Sequence, residues 1–105
     1  MTAQEEGVPF VRAYLEGVFS GHAVHDFEDK MSRSHAFRVE DARGRQVALV
    51  KVPLSFFDDL RDQAPGRFAN RLRDWLDDHD VAETLRAAGS RVQMTFLLHG
   101  PSYTT

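Results

Sequence analysis

Residues 37–52 read FRVEDARGRQVALVKV and predict a β-hairpin. Phe37 and Val39 alternate with charged side chains, as in a strand that buries one face. Gly44, near the middle of the stretch, suits the positive φ of a short hairpin loop. The second strand is apolar on both faces around its middle, which favours a central position in the sheet. Pro53 ends this strand because proline cannot donate a backbone hydrogen bond to a neighbour.

Upstream of the hairpin, apolar residues recur every three to four positions and predict a helix over residues 9–20. Gly21 is placed to end that helix in the left-handed conformation. Residues 22–34 are mostly polar. We expect a loop or a short irregular strand in this segment, with Phe27 as its anchor.

Downstream of the hairpin, the pattern predicts three helices and a final strand. The first two helices are expected over residues 55–61, capped by a serine, and over residues 67–79. Asp80 and Glu83 have the spacing of a capping box and open the third helix. Alternating apolar residues over 91–99 predict the last strand, and we expect a frayed tail after it.

The resulting order, α-β-β-α-α-α-β, predicts a single α+β domain that covers residues 1–105. We expect a small, mainly antiparallel sheet, made of the hairpin and the C-terminal strand, with the helices packed on one face. A length of 105 residues, with 42% hydrophobic and 28% charged side chains, is ordinary for one globular domain.

Composition excludes several function classes. The chain has no cysteine, which rules out disulfides, thiolate metal sites and cysteine catalysis. A net charge of −3 argues against electrostatic binding to nucleic acid or to an anionic membrane. Apolar runs stay well short of the roughly 20 residues that span a bilayer. The acidic N-terminus is unlike a secretory signal, so we expect a cytoplasmic protein.

Histidines are the main candidates for chemistry. His22, His25 and His35 have acidic neighbours, but a metal needs three or four ligands that converge, and a polar surface loop explains the same pattern. His99 lies at a strand end without a matching nucleophile or acid. The chain has no glycine-rich phosphate or dinucleotide motif. We therefore assign no catalytic residue, metal or cofactor, and enzymatic activity is the less favoured reading.

Arginines at the start of one predicted helix form a candidate anion site. Positive charge at a helix N-terminus opposes the helix dipole, so Arg67 and Arg71 need an explanation. They either pair with aspartates of the preceding helix or, together with Asn70, hold a phosphate or carboxylate. The sequence leaves both readings open.

Self-association is predicted from the small number of strands. A three-stranded sheet has two edges, and exposed edges are usually covered or paired. The last strand has no charge or proline that would discourage pairing, and Phe10 widens the apolar face of the first helix. We expect a two-fold homodimer, with its interface either on the first helix at Phe10 and Phe19 or on the last strand at Phe96.

Charge is distributed unevenly along the chain: its first third is acidic and the hairpin is basic. Such a layout can steer a charged partner, or it can be satisfied within the fold, with the hairpin facing the acidic segment. Because the chain is also small and lacks a catalytic constellation, the sequence favours a protein-interaction or regulatory module. The alternative is a small-ligand or anion-binding domain, possibly an enzyme, that uses the helix N-terminus at Arg67 and Arg71 or uses His99.

Overall fold

The computed structural model describes residues 1–89 and 91–105, which form four helices and five strands. The fold class is α+β, as predicted, and the observed order is α-β-β-β-α-α-α-β-β. In chain order the elements are α1 (Ala3–Val18), β1 (Ala23–Asp29), β2 (Ser34–Glu40), β3 (Gln46–Pro53), α2 (Leu54–Gln63), α3 (Phe68–Asp78), α4 (Val81–Ala87), β4 (Val92–Thr95) and β5 (Ser102–Thr104).

The five strands form one sheet in the order β1-β2-β3-β4-β5. Strands β1, β2 and β3 are an antiparallel meander, and β4 and β5 also pair antiparallel. Between them, β3 and β4 run parallel, so the sheet is mixed rather than purely antiparallel. A parallel pair needs a crossover connection, which the three helices α2, α3 and α4 provide. The predicted central position of β3 is confirmed.

The helices cover one face of the sheet. Side chains alternate along β3, where Ala48, Val50 and Val52 are fully buried against the helical layer. Aromatic rings fill the core beside β4: the ring centroid of Trp75 lies 4.8 Å from that of Phe56 and 4.7 Å from that of Phe96. The indole N–H of Trp75 donates to a backbone carbonyl at 3.1 Å, so this buried donor is satisfied.

Helix α1 begins six residues earlier than its apolar stripe predicts. Thr2 and Glu5 form a capping box, with the Thr2 hydroxyl accepting from the Glu5 N–H at 3.1 Å and the Thr2 N–H donating to the Glu5 carboxylate at 2.9 Å. Pro9 therefore lies inside the helix. Its side chain is on the exposed side, where water can bind the carbonyl that loses its backbone partner.

The expected loop or irregular strand at 22–34 is a regular strand, β1, over most of its length. Val24 is its one fully buried large side chain, because β1 is an edge strand and faces solvent on two sides. Edge strands commonly carry charges that discourage pairing with other chains. This explains why the pattern of β1 is polar.

The expected last strand over 91–99 is shorter, and a fifth strand replaces the expected frayed tail. Strand β4 stops at Thr95, and Gly100 adopts a φ of 143° in the connection to β5. As a result β4 is an inner strand, and its predicted role as an exposed edge is wrong. The predicted caps also differ: α2 has Pro53 at its N-cap, and Asp80 has a left-handed backbone with no side-chain cap.

Candidate functional site

The face of the sheet that points away from the helices is the candidate site, and we call it the open face. Register and alternation place its residues opposite to the buried set. It comprises Ala23, His25, Phe27, Asp29, Ser34, Ala36, Arg38, Glu40, Leu49, Lys51, Pro53, Gln93, Thr95, Ser102 and Thr104.

The open face has two large apolar side chains, Phe27 on the edge strand β1 and Leu49 on β3; together with Ala36 and Arg38, which lie between them on β2, we call them its apolar centre. Phe27 is 43% exposed and lies directly across from Ala36 in the sheet. Ala36 is fully buried although it points away from the helices, because the larger side chains around it cover it. Arg38 lies directly across from Leu49, and its guanidinium carbon is 5.7 Å from the centroid of the Phe27 ring, within the range of a cation–π contact.

A histidine–carboxylate contact and an ion pair flank this centre. The Nε2 atom of His25 lies 3.1 Å from a Glu40 carboxylate oxygen. Lys51 Nζ donates to the Asp29 carboxylate at 3.3 Å. Hydrogen bonds from Ser32 and Lys51 hold the pKa of Asp29 below its ordinary value. The open face therefore has an aromatic and aliphatic centre, an arginine stacked on the aromatic ring, and charged pairs of both signs at its margins.

The sequence pattern predicts Phe27 as the anchor of a loop or a short irregular strand, and it does not indicate this site. The signal was available in the spacing, since Val24 and Phe27 are three positions apart and a strand directs such side chains to opposite faces. Once β1 is assigned as a strand with Val24 buried, Phe27 must point outward.

On the helical side of β1, a separate polar cluster joins α1 to the sheet. Asp26 accepts from Arg12 at 2.6 Å and lies 2.8 Å from Nε2 of His35. The other ring nitrogen of His35 contacts the side-chain amide of Gln4 at 3.3 Å. Burial disfavours ionised Asp26, but the hydrogen bonds from His35 and Arg12 outweigh it, so the pKa of Asp26 lies below its ordinary value.

The predicted anion-binding residues are only partly brought together. Arg67 and Asn70 line a groove of about 300 Å³ at the start of α3, and Arg61 and Glu6 line it as well. Arg71 instead donates through Nε to the side-chain oxygen of Gln63 in α2, at 3.2 Å. Within the described residues neither Arg67 nor Arg71 forms an ion pair, so the expected pairing with the aspartates of α2 does not occur.

The three predicted interface phenylalanines lie in different environments. Phe96 is fully buried in the aromatic core, so placing it at an interface is wrong. Phe10 is partly buried and carries the guanidinium of Arg73 at 5.6 Å from its ring centroid. Phe19 is also partly buried and lies beside the ring of His22. Both of these side chains are less exposed than that of Phe27.

The histidines lie apart. His35 belongs to the Asp26 cluster, His25 to the margin of the open face, and His99 is exposed in the connection between β4 and β5. Among residues 1–89 and 91–105, no three or more histidine, aspartate or glutamate side chains are grouped so that they could hold a metal ion.

Comparison with known proteins gives no relative: no family model, curated protein or solved structure matches the chain. None of the helices in the described part of the chain has the length and apolar character needed to cross a lipid bilayer.

Proposed function

We propose that the chain is a protein-interaction module and that its open face is the docking surface. The observation that carries this proposal is the arrangement around Phe27: an exposed aromatic ring with Arg38 stacked on it, Leu49 directly across from Arg38, and polar and ionic pairs at the margin. Protein interfaces are enriched in aromatic residues and arginine at their centres and have polar rims.

The partner that fits this surface best is a second copy of the chain. The open face carries Arg38 and Lys51 together with Asp29 and Glu40, so both signs of charge are present in equal number. A strongly acidic or basic partner would gain little from such a surface. A two-fold pair brings the same patch together from both subunits, and mixed charges allow cross-subunit pairing there.

The size of the open face predicts a weak dimer. Five strands spaced by about 4.8 Å, with a rise of about 3.3 Å per residue, give a face of about 450 Å². Two such faces would bury about 900 Å², which is less than the roughly 1,200–2,000 Å² of a stable interface. We therefore expect a dimer that dissociates on dilution.

Anion binding in the groove at α3 is the alternative function. Arg61 and Arg67 supply positive charge there, but the carboxylate of Glu6 lines the same groove and opposes an anion. No side chain of residues 1–89 or 91–105 caps the N-terminus of α3. The open face has the stronger support because its aromatic centre, stacked arginine and ion pairs all fit a protein partner.

Sedimentation equilibrium from low micromolar to millimolar concentration tests the proposal. The wild-type mass should rise with concentration above the 11.9 kDa of a monomer, and Phe27→Glu should keep the chain monomeric because it puts a charge at the centre of the interface. The matched control is Tyr103→Glu, because Tyr103 is 51% exposed on the same sheet but points to the helical side. Circular dichroism checks that each variant is folded.

Three outcomes would overturn the proposal. A wild-type mass of 11.9 kDa at every concentration would exclude the second copy, and equal loss of the dimer in both variants would place the interface elsewhere. Binding of a mixed-sequence single-stranded RNA that is lost in Phe27→Glu would make the open face a nucleic-acid surface. Leu49→Gln serves as a second open-face variant if Phe27→Glu does not fold.

A further inference from the structure

A groove of about 680 Å³ lies at one end of the sheet, between the β2–β3 turn and the start of β4. Its volume is in the range of small-molecule sites, about 300–1,000 Å³. It is separate from the aromatic centre of the open face and from the groove at α3. Its lining residues are Asp41, Arg45, Gln46, Val47, Arg91 and Gln93.

The lining is rich in groups that donate hydrogen bonds to oxygen atoms. Arg45 and Arg91 contribute two guanidinium groups, and Gln46 and Gln93 contribute two carboxamides. Guanidinium groups bind carboxylates and phosphates through two parallel hydrogen bonds. Among the described lining residues, Asp41 is the one acidic side chain and would repel an anion.

The carboxylate of Asp41 is already engaged by the backbone. One of its oxygens accepts from the N–H of Arg45 at 3.0 Å and from the N–H of Arg43 at 2.9 Å, which closes the β2–β3 turn. These backbone hydrogen bonds, that of Arg45 first, hold the pKa of Asp41 below its ordinary value. Its contact with the Arg45 side chain is long, at 3.9 Å, and the Arg45 side chain is 65% exposed.

Arg91 enters the groove from a fixed backbone position. Its φ is 69°, in the left-handed region, and its N–H donates to the Val47 carbonyl at 2.8 Å. Within the described residues the Arg91 side chain forms no ion pair. The groove is therefore lined by two guanidinium groups, that of Arg91 and that of Arg45, whose contact with Asp41 is long and whose side chain is mostly exposed.

We infer that this groove binds a small anion that carries phosphate or carboxylate groups, held between Arg45 and Arg91. The groove adjoins the open face, since Gln93 belongs to both, but the inference does not require the proposed dimer. The amides of Gln46 and Gln93 would donate to the remaining oxygens of the anion.

Calorimetric titration with inorganic phosphate and with citrate, in sodium chloride at matched ionic strength, tests the inference and distinguishes the two chemistries. Arg91→Gln and Arg45→Gln should each weaken binding about tenfold or more, because each removes a charge-assisted hydrogen bond. Arg43→Gln is the matched control, since Arg43 lies on the same turn but does not line the groove. Amide NMR signals of Gln46 and Gln93 should shift during the titration.

The outcomes that overturn the inference are distinct. If neither anion binds, the groove is not an anion site. If Arg43→Gln weakens binding as much as Arg91→Gln, the interaction is a general charge effect. If the side-chain amide of Asn70 shifts and Arg67→Gln abolishes binding, the anion binds at α3 instead. Because Arg91 has a left-handed backbone, Arg45→Gln gives the answer if the Arg91 variant does not fold.

Discussion

The Oδ1 atom of Asp26 lies 2.8 Å from the Nε2 atom of His35, which joins two neighbouring strands on the side covered by the helices. The second carboxylate oxygen binds Arg12 of α1. One carboxylate therefore connects β1, β2 and α1. Because β1 contributes little apolar surface to the core, this polar connection is a principal attachment between the edge strand and the helical layer.

Asp26→Asn should lower the free energy of unfolding by about 1–3 kcal/mol, because an amide directs an N–H toward donors that the carboxylate satisfied. Urea denaturation measures the change. Asp58→Asn, at an exposed position of α2, is the control and should leave stability nearly unchanged. Equal stability of the two variants would show that the Asp26 cluster contributes nothing to folding.

Stability should fall in acid in a manner that depends on Asp26. Its pKa is lowered in the folded state, so the folded chain binds fewer protons than the unfolded chain. The stabilisation is complete above the ordinary carboxyl pKa, about 4, and is lost as the pH falls through the lower folded-state pKa. Urea midpoints measured between about pH 5 and pH 2 should therefore fall more steeply for the wild type than for Asp26→Asn. If the urea midpoints of the wild type and of Asp26→Asn fall equally with pH, the acid sensitivity does not come from Asp26.

Gly7→Ala should destabilise the chain although Gly7 lies inside a helix. A Cβ atom at this position would overlap the ring of Phe57, which is fully buried, and overpacking of this kind costs about 1–3 kcal/mol. Gly17 is in the same helix and a Cβ there meets nothing within 4 Å. Gly17→Ala should therefore raise stability by about 0.5–1 kcal/mol. Thermal and urea denaturation should show that the free energy of unfolding falls in Gly7→Ala and rises in Gly17→Ala. A change of the same sign in both variants would contradict the packing of Phe57 against Gly7.

Phe96→Ala should lower the free energy of unfolding by about 3–5 kcal/mol, the usual cost of removing a buried ring. The fluorescence of Trp75, the only tryptophan, should shift to the red because Phe96 packs against it. If Phe96→Ala instead leaves the stability unchanged and lowers the mass of the assembly measured by sedimentation, Phe96 lies at an interface.

The α+β class and the central hairpin could be predicted because their signals are local. Alternation over residues 37–52 and the glycine at position 44 specify a turn and two strands without reference to the rest of the chain. The helices could be located for the same reason, through their apolar stripes. Their ends were less predictable because Thr2 and Glu5 cap α1 by side-chain hydrogen bonds upstream of the stripe.

The open face could not be predicted because it depends on a strand without a clear apolar pattern. The residues of β1 become a strand only when paired with β2. Asp26 can face the helices only because its hydrogen bonds with Arg12 and His35 offset the cost of burying its carboxylate. The parallel pairing of β3 with β4 and the existence of β5 likewise depend on contacts between distant residues. The same is true of the groove between Arg45 and Arg91.

The parallel pairing of β3 with β4 sets the order in which the sheet is expected to form. Strands β1, β2 and β3 are joined by short turns, whereas β3 can meet β4 only after the 38 residues from 54 to 91 have closed a loop. Closing a long loop costs more conformational entropy than closing a turn, so we expect the meander to form early and β4 and β5 to join late. Substitutions in the last two strands should then accelerate unfolding and leave the folding rate almost unchanged.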